Sequence, residues 1–229
     1  MNVLSCFDGC SGGQLALQTA TIKVDNYYAS EIDKYAIKVT QSNFPNTIQV
    51  GDISNVDASS FNDGIDLMMG GSPCQGFSFA GHQLNFEDPR SKLFFEFVRL
   101  KDTLKPKYFL LENVKMKKES MDIITKYMGV EPIEINSSLL SAQNRKRLYW
   151  TNIPFDRNID DKGIVMQDIL EDGFSSELMT NANGKSHCVT ARYNGAVWWN
   201  SIERSQRTMV LRDSFKTSKD NVLVSKDMW

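Results

Sequence analysis

The chain has 229 residues, 41% of them hydrophobic, with 26 Lys and Arg against 28 Asp and Glu for a formal net charge of −2. That length can bury one full domain and leaves room for a smaller one, and the charge balance excludes a protein that coats nucleic acid through bulk positive charge. No stretch approaches the roughly 20 apolar residues of a membrane span, no basic-then-apolar leader opens the chain, and four cysteines without CxxC spacing beside two histidines fit neither a disulfide framework nor a metal site, so the cytosol is the expected compartment.

Asn2 to Phe7 is a short apolar run that predicts a strand, followed by the turn Asp8-Gly9-Cys10-Ser11-Gly12-Gly13 and the helix-like Gln14-Leu15-Ala16-Leu17. Glycines at such a turn let a ligand approach the backbone where a helix N-terminus offers unpaired N–H groups. Tyr27 to Ser30 reads as a strand ending in Glu31, Lys34 to Phe44 as a helix, and Ile48 to Val50 as a strand ending in Asp52. Glu31 can accept from ribose hydroxyls and Asp52 from the exocyclic amine of an adenine, while each also reads as a helix N-cap or a surface charge. Three ligand-facing groups at successive strand ends fit an adenosyl cofactor.

Ile65 to Met69 is the next strand, and it runs into Gly70-Gly71-Ser72-Pro73-Cys74-Gln75-Gly76-Phe77-Ser78. A loop shaped by Gly and Pro at a strand end is where an attacking thiol would be displayed; the other reading is an ordinary turn with a buried cysteine. Ser91 to Leu104 has helical spacing, Tyr108 to Leu111 is a strand that delivers Glu112-Asn113-Val114, Ile123 to Met128 is a helix and Ile133 to Ile135 a strand. Strands alternating with helices predict an α/β fold: a doubly wound, mostly parallel sheet covered on both faces.

An acid beside a thiol suits chemistry on a pyrimidine, because a proton or hydrogen bond at ring N3 drains electrons from C6 and lets a thiolate add there. In Gln143-Asn144-Arg145-Lys146-Arg147, the residues Gln143, Arg145 and Arg147 would share one side of an extended segment, where guanidinium groups can hold a base carbonyl, the cysteine loop or a phosphate. Beyond Pro154 the rhythm fails, which predicts a catalytic domain over 1–155 and a smaller irregular region over 156–229. Candidate basic contacts to DNA are Lys115 to Lys118, Arg145 to Arg147, and then Lys185, Arg192, Arg204, Arg207 and Arg212; each reads as readily as solvated surface.

In order and spacing, Phe7 to Gly13, Glu31, Asp52, Gly70 to Ser78, Glu112-Asn113-Val114 and Gln143 to Arg147 resemble the C5-cytosine DNA methyltransferases, among them phage and bacterial members and the animal de novo branch. The resemblance implies a Rossmann-like fold, S-adenosylmethionine as methyl donor, double-stranded DNA as partner and no metal. It sets Phe7 against the adenine, Gly9 and Gly12 under the amino-acid end, Glu31 on the ribose, Asp52 and Ile53 beside the adenine and Pro73 against the cofactor. Cys74 becomes the nucleophile on C6, Glu112 the acid at N3 and the exocyclic amine, Arg147 the contact to O2 and Arg145 a brace for the cysteine loop. Gln75, Ser78, Gln143, Arg192 and Arg204 would face DNA, whose target cytosine must leave the stack to be reached. The implied setting is restriction-modification or protection of DNA in the cytoplasm of a bacterium or phage-infected host.

Two departures accompany the resemblance. Ser11 stands where the family's Phe-x-Gly-x-Gly-Gly places its second glycine, a substitution shared with the animal de novo branch. The sequence also stops at Trp229, short of the family's final Gly-Asn segment, which implies truncation at the C-terminus and a separately encoded C-terminal segment as a partner. A fragment that binds DNA or cofactor and is weakly active alone is therefore the second expectation. Thiol redox chemistry at Cys74 is disfavoured, since no resolving cysteine stands at a recognisable spacing.

Overall fold

Strand β1 (Asn2–Cys6) is buried from Val3 onward because it has a neighbour on each edge and a layer on each face. A computed structural model describes residues 1–73, 89–156, 158–175, 183–187, 208 and 211–212. After β1 come α1 (Gly12–Thr19), β2 (Asn26–Ser30), α2 (Lys34–Asn43), β3 (Ile48–Gln49), β4 (Leu67–Gly70), α3 (Pro89–Leu104), β5 (Tyr108–Asn113), α4 (Lys118–Met128), β6 (Ile133–Asn136) and β7 (Lys146–Thr151). Seven strands form one sheet in the order β3-β2-β1-β4-β5-β7-β6. The pairs β1 with β2, β1 with β4, β2 with β3 and β4 with β5 are parallel. The chain winds outward from β1 to β3, then returns to the far side of β1 to lay down β4 and β5. This reversal opens a crevice at the carboxyl ends of β1 and β4, where α/β sheets bind ligands.

Alternation along the strands loads both faces. Leu4, Cys6, Met68 and Leu111 share a core with Phe94, Phe97 and Leu100 of α3 and Ile124 and Met128 of α4. Val3, Tyr27, Ala29 and Leu67 share the second core with Leu17 of α1. The sheet is therefore doubly wound, as the alternating pattern predicts. Local signals match the element ends: Asp33 caps α2 by accepting from the N–H groups of Tyr35 and Ala36, and Gly129, at φ 72°, closes α4.

Strand β7 has no counterpart among the predicted elements. It runs antiparallel to β5 with Glu112 opposite Tyr149 and Leu111 opposite Trp150. Its apolar residues alternate: Leu148 and Trp150 enter the larger core, and the Trp150 indole donates to Thr125 Oγ1 of α4 at 2.9 Å. The condition on which Gln143, Arg145 and Arg147 would share one side, an extended segment throughout, is met only from Lys146 onward, where the strand begins. The residues before it form a turn in which Asn136 Oδ1 accepts from the N–H groups of Ser138 and Arg145, and Ser137 Oγ donates to the Gln143 carbonyl. Asx and hydroxyl bonds of this kind compete with a strand ladder.

The described residues fall into two compact units, Met1–Ile135 with Arg147–Phe155, and Asn136–Lys146 with the described part of Asp156–Trp229. The second unit includes the short antiparallel pair β8 (Phe174–Ser175) and β9 (Leu211–Arg212). Lys185, a candidate DNA contact by charge, has a different place: it is 6% exposed, and its ammonium donates to the carbonyls of Ser138, Ser141 and Ile164. The Asp161 carboxylate lies 3.7 Å from it. Burial of a lysine requires such partners, and these carbonyls supply them.

Candidate functional site

The loop from β1 into α1 reverses sharply. Phe7, Gly9 and Ser11 have φ of 57°, 59° and 57°, all in the left-handed region that favours glycine. Three bonds tie the loop to the next strand and helix. Asp8 N–H donates to the Ser30 carbonyl at 3.2 Å, Gly9 N–H to Glu31 Oε2 at 2.7 Å, and Thr40 Oγ1 to the Gly9 carbonyl at 3.3 Å. Glu31 Oε1 accepts from the N–H groups of Ile32 and Asp33, so this carboxylate braces the loop and the start of α2 together.

The three glycines after Phe7 have different reasons. A Cβ at Gly9 or Gly12 would meet nothing within 4 Å, so the backbone there borders open space. A Cβ at Gly13 would collide with the Met69 thioether and lie 3.1 Å from the Tyr27 hydroxyl, so that glycine lets α1 seat on the sheet. Ser11 stays left-handed with its side chain turned inward. Its hydroxyl donates to Asp8 Oδ2, and Asp8 Oδ1 accepts from the Tyr27 hydroxyl at 2.8 Å. Left-handed backbone costs a non-glycine residue roughly 1–2 kcal/mol, and a hydrogen bond to a charged acceptor returns about the same.

At the end of β3, Asp52 Oδ1 accepts from Ser54 N–H at 2.9 Å and caps the 3-10 turn Ile53–Asn55, within which Ile53 is buried. Arg99 of α3 clamps this turn from below, donating to the carbonyls of Ile53 at 3.2 Å and Val56 at 3.1 Å. Phe7 packs against the larger core at the base of the crevice. The open backbone at Gly9 and Gly12 follows the carboxyl end of β1, the side of an α/β sheet where ligands bind.

On the other side of the switch point, β4 leads to Ser72 and Pro73. Gly70 packs so closely that a Cβ would stand 2.8 Å from the Cys6 carbonyl, and one at Gly71 would stand 3.1 Å from Glu112 Oε2. The paired glycines thus admit β1 on one side and a carboxylate on the other. Glu112 Oε1 is 2.8 Å from Arg147 Nε, with the Arg147 side chain 14% exposed and Glu112 30%. Register explains the encounter: Glu112 lies opposite Tyr149, and Arg147, two residues back along β7, is its diagonal neighbour on the same face. Asn113, buried, donates from Nδ2 to the Ser72 carbonyl at 3.2 Å and accepts from Val114 N–H at 2.8 Å, which ties the start of the cysteine loop to the end of β5.

Glu31, Asp52, Phe7, Gly9, Gly12, Ile53, Pro73, Glu112 and Arg147 all belong to the first unit, and Gln143 and Arg145 to the second. Cys74, Gln75, Ser78, Arg192 and Arg204 lie outside the described residues. Cys6, by contrast, is fully buried, and desolvation followed by the charge of Asp8 pushes its thiol far up, which leaves it a core residue. The reading of the sequence passes over Asp8, Tyr27 and Arg99. Asn113 was visible inside its triplet but without a role.

An acid at the end of β2, a glycine loop at β1 and a parallel sheet reversed between β1 and β4 define a Rossmann-like α/β protein of the methyltransferase class. Solved structures share the fold: a prophage-encoded E. coli chain solved as a DNA modification methyltransferase candidate has a TM-score of 0.59 over 87% of this chain and 63% of that one at 24% identity. The S. pombe Dnmt2 methyltransferase has a TM-score of 0.55 over 68% and 52% at 23% identity. The chain belongs to the C-5 cytosine-specific DNA methylase family, whose model matches residues 1–227. The orphan methyltransferase M.Rho11sI of Bacillus phage rho11s is 34% identical over 192 residues, 76% of this chain and 37% of that one. The type II methyltransferase M1.ScrFI of Lactococcus lactis subsp. cremoris is 38% identical over 166 residues, 68% and 41% of the two chains. The chain therefore spans about two fifths of the length of these curated relatives.

Proposed function

We propose that the chain methylates C5 of cytosine in duplex DNA, with S-adenosylmethionine as donor and Cys74 as nucleophile. The observation that carries this reading is the Glu112–Arg147 pair, a carboxylate and a guanidinium 2.8 Å apart at the end of the strand beside the one that enters the Cys74 loop. A pyrimidine edge offers an exocyclic amine and N3 to a carboxylic acid and O2 to a guanidinium, so the pair suits a cytosine turned out of the stack.

With the base held there, the Cys74 thiolate adds to C6 while Glu112 hydrogen-bonds or protonates N3, and the C5–C6 π pair becomes available at C5. S-adenosylmethionine, when bound, supplies the electrophilic methyl group. C5 would take that methyl as the methyl–sulfonium bond breaks and its electron pair stays on sulfur as a neutral thioether; the C5 proton would then leave to a base, and the returning electron pair would expel the Cys74 thiolate and restore the double bond. Phe7, Gly9, Gly12, Glu31, Asp52, Ile53 and Pro73 would hold the donor; Arg145 would brace the cysteine loop; Gln75, Ser78, Gln143, Arg192 and Arg204 would hold DNA. We assign the catalytic role to residues 1–155 and DNA reading to 156–229, acting in the cytoplasm of a bacterium or phage-infected cell.

Transfer of labelled methyl from S-adenosylmethionine to cytosine-containing duplex is expected, and Cys74→Ser should abolish it. Label that persists in Cys74→Ser would overturn the nucleophile. A second reading, a cofactor- and DNA-binding fragment complemented by a separate C-terminal segment, is favoured by the exposed apolar side chains Leu15, Ile32, Tyr35 and Val39 on and beside α1 and α2. It predicts binding of cofactor without transfer until the complementing segment is added.

A further inference from the structure

Gly70 and Gly71 stand side by side at the end of β4 for different reasons. A Cβ at Gly70 would press on backbone, 2.8 Å from the Cys6 carbonyl, and would lie 3.1 Å from the Phe97 ring, so that glycine is a condition of sheet packing. Gly71 has neither of the usual reasons to be a glycine. Its φ is outside the left-handed region, so its backbone suits any residue. Among the described residues, leaving aside its two chain neighbours, a Cβ there would meet Glu112 alone, with Oε2 at 3.1 Å and the carbonyl oxygen at 3.7 Å. Glu112 has little room to retreat: Leu111 before it pairs with Gly70 of β4, its own backbone lies opposite Tyr149 of β7, and its Oε1 is 2.8 Å from Arg147 Nε. A side chain at position 71 would therefore displace the carboxylate by a few tenths of an ångström.

We propose that Gly71 is a positioning residue for the reaction: by setting bare backbone beside β5, it fixes where the Glu112 carboxylate meets the cytosine edge. The role rests on the function proposed above, in which Glu112 bonds ring N3 while the thiolate adds to C6. Arg147 and Gly71 bound the carboxylate from two sides, the first by attraction and the second by leaving space. A hydrogen bond weakens with stretch and misalignment, and the bond to N3 matters most as charge develops on the ring, so a small displacement is felt in turnover. Duplex binding draws mainly on phosphate contacts, which Gly71 does not touch. The displacement should therefore lower kcat and leave KM nearly unchanged.

The test is a double-mutant cycle on the full chain, comparing wild type, Gly71→Ala, Glu112→Asp and the double variant. Two quantities are followed: kcat and KM for methyl transfer to duplex, and Tm of the chain without cofactor or DNA. Aspartate draws its carboxylate back by one methylene and clears the new Cβ. Gly71→Ala should thus lower kcat about tenfold in the glutamate background, with KM within about twofold, and should change kcat less than about twofold in the aspartate background. It should lower Tm by about 2–4 °C beside glutamate and leave it level or raise it beside aspartate, as replacement of a glycine at an ordinary φ does. Equal losses of kcat in both backgrounds, a loss in KM alone, or a Gly71→Ala chain that does not fold would overturn the role and leave the proposed function standing. A wild-type chain that transfers no methyl would overturn both.

Discussion

Cys6 and Tyr27 are neutral groups that the fold cannot ionise cheaply. Burial, with the charge of Asp8 as the next cause, pushes both upward, from ordinary values of 9.0 and 10.0. In the unfolded chain each loses its proton near its ordinary value, whereas the folded chain keeps it. Above about pH 9 the unfolded state therefore binds fewer protons, and stability falls as pH rises, first through Cys6 and then through Tyr27. Urea unfolding at pH 7.5 and 9.5 should show this loss, and Cys6→Ala should flatten its first part while lowering neutral stability by about 1 kcal/mol. An unchanged alkaline slope in Cys6→Ala would mean that the thiol is not its source. The residues proposed to touch ligand were the legible ones, because Phe7, Glu31, Asp52, Glu112 and Arg147 stand at strand ends or in dense motifs. Asp8 and Tyr27 were not, because an aspartate in a turn and a tyrosine in a strand are ordinary locally and meet only when β1 and β2 pair.

Helix α3 shows how an element can serve two neighbourhoods. Phe94, Phe97 and Leu100 fasten it to the sheet, and Arg99, on another side of the helix, holds the turn that follows Asp52. Those two backbone carbonyls have no other feature in the sequence that announces their partner, since the donor comes from an element 43 or more residues away. Arg99→Met keeps the aliphatic stem but removes the donors. It should weaken S-adenosylmethionine binding about fivefold to tenfold and cost about 1–2 kcal/mol of stability, with Arg99→Lys intermediate because one ammonium cannot reproduce the planar fork. Calorimetry paired with thermal unfolding separates the two: a fall in stability with cofactor affinity intact would make the arginine a packing residue only. Strand β7 carries the opposite lesson. Its buried Leu148 and Trp150 alternate plainly with Arg147 and Tyr149, but the polar run before it directs the eye to the charges of Gln143 to Arg147 rather than to the strand that begins at Lys146.

At the scale of the whole molecule, the described residues of the second unit converge on a buried charge rather than on an α/β layer. In that unit Lys185 gathers carbonyls from Ser138, Ser141 and Ile164, while Ser186 on its C-terminal side pairs by backbone with Ala142 and Asn144. Composition read this lysine as surface because sequence shows a charge but not the carbonyls that converge on it, which come from segments before and after β7. Lys185→Met fits the stem and strands three acceptors, each worth about 1–3 kcal/mol when left unsatisfied. The first unit has its own two cores and shares none of these bonds. Amide exchange should therefore accelerate at Asn144 and Ser186 in Lys185→Met, while the amides of β1 and β2 keep their protection. If instead all protection fell together, the ammonium would be a determinant of the entire fold, and the two units would unfold as one.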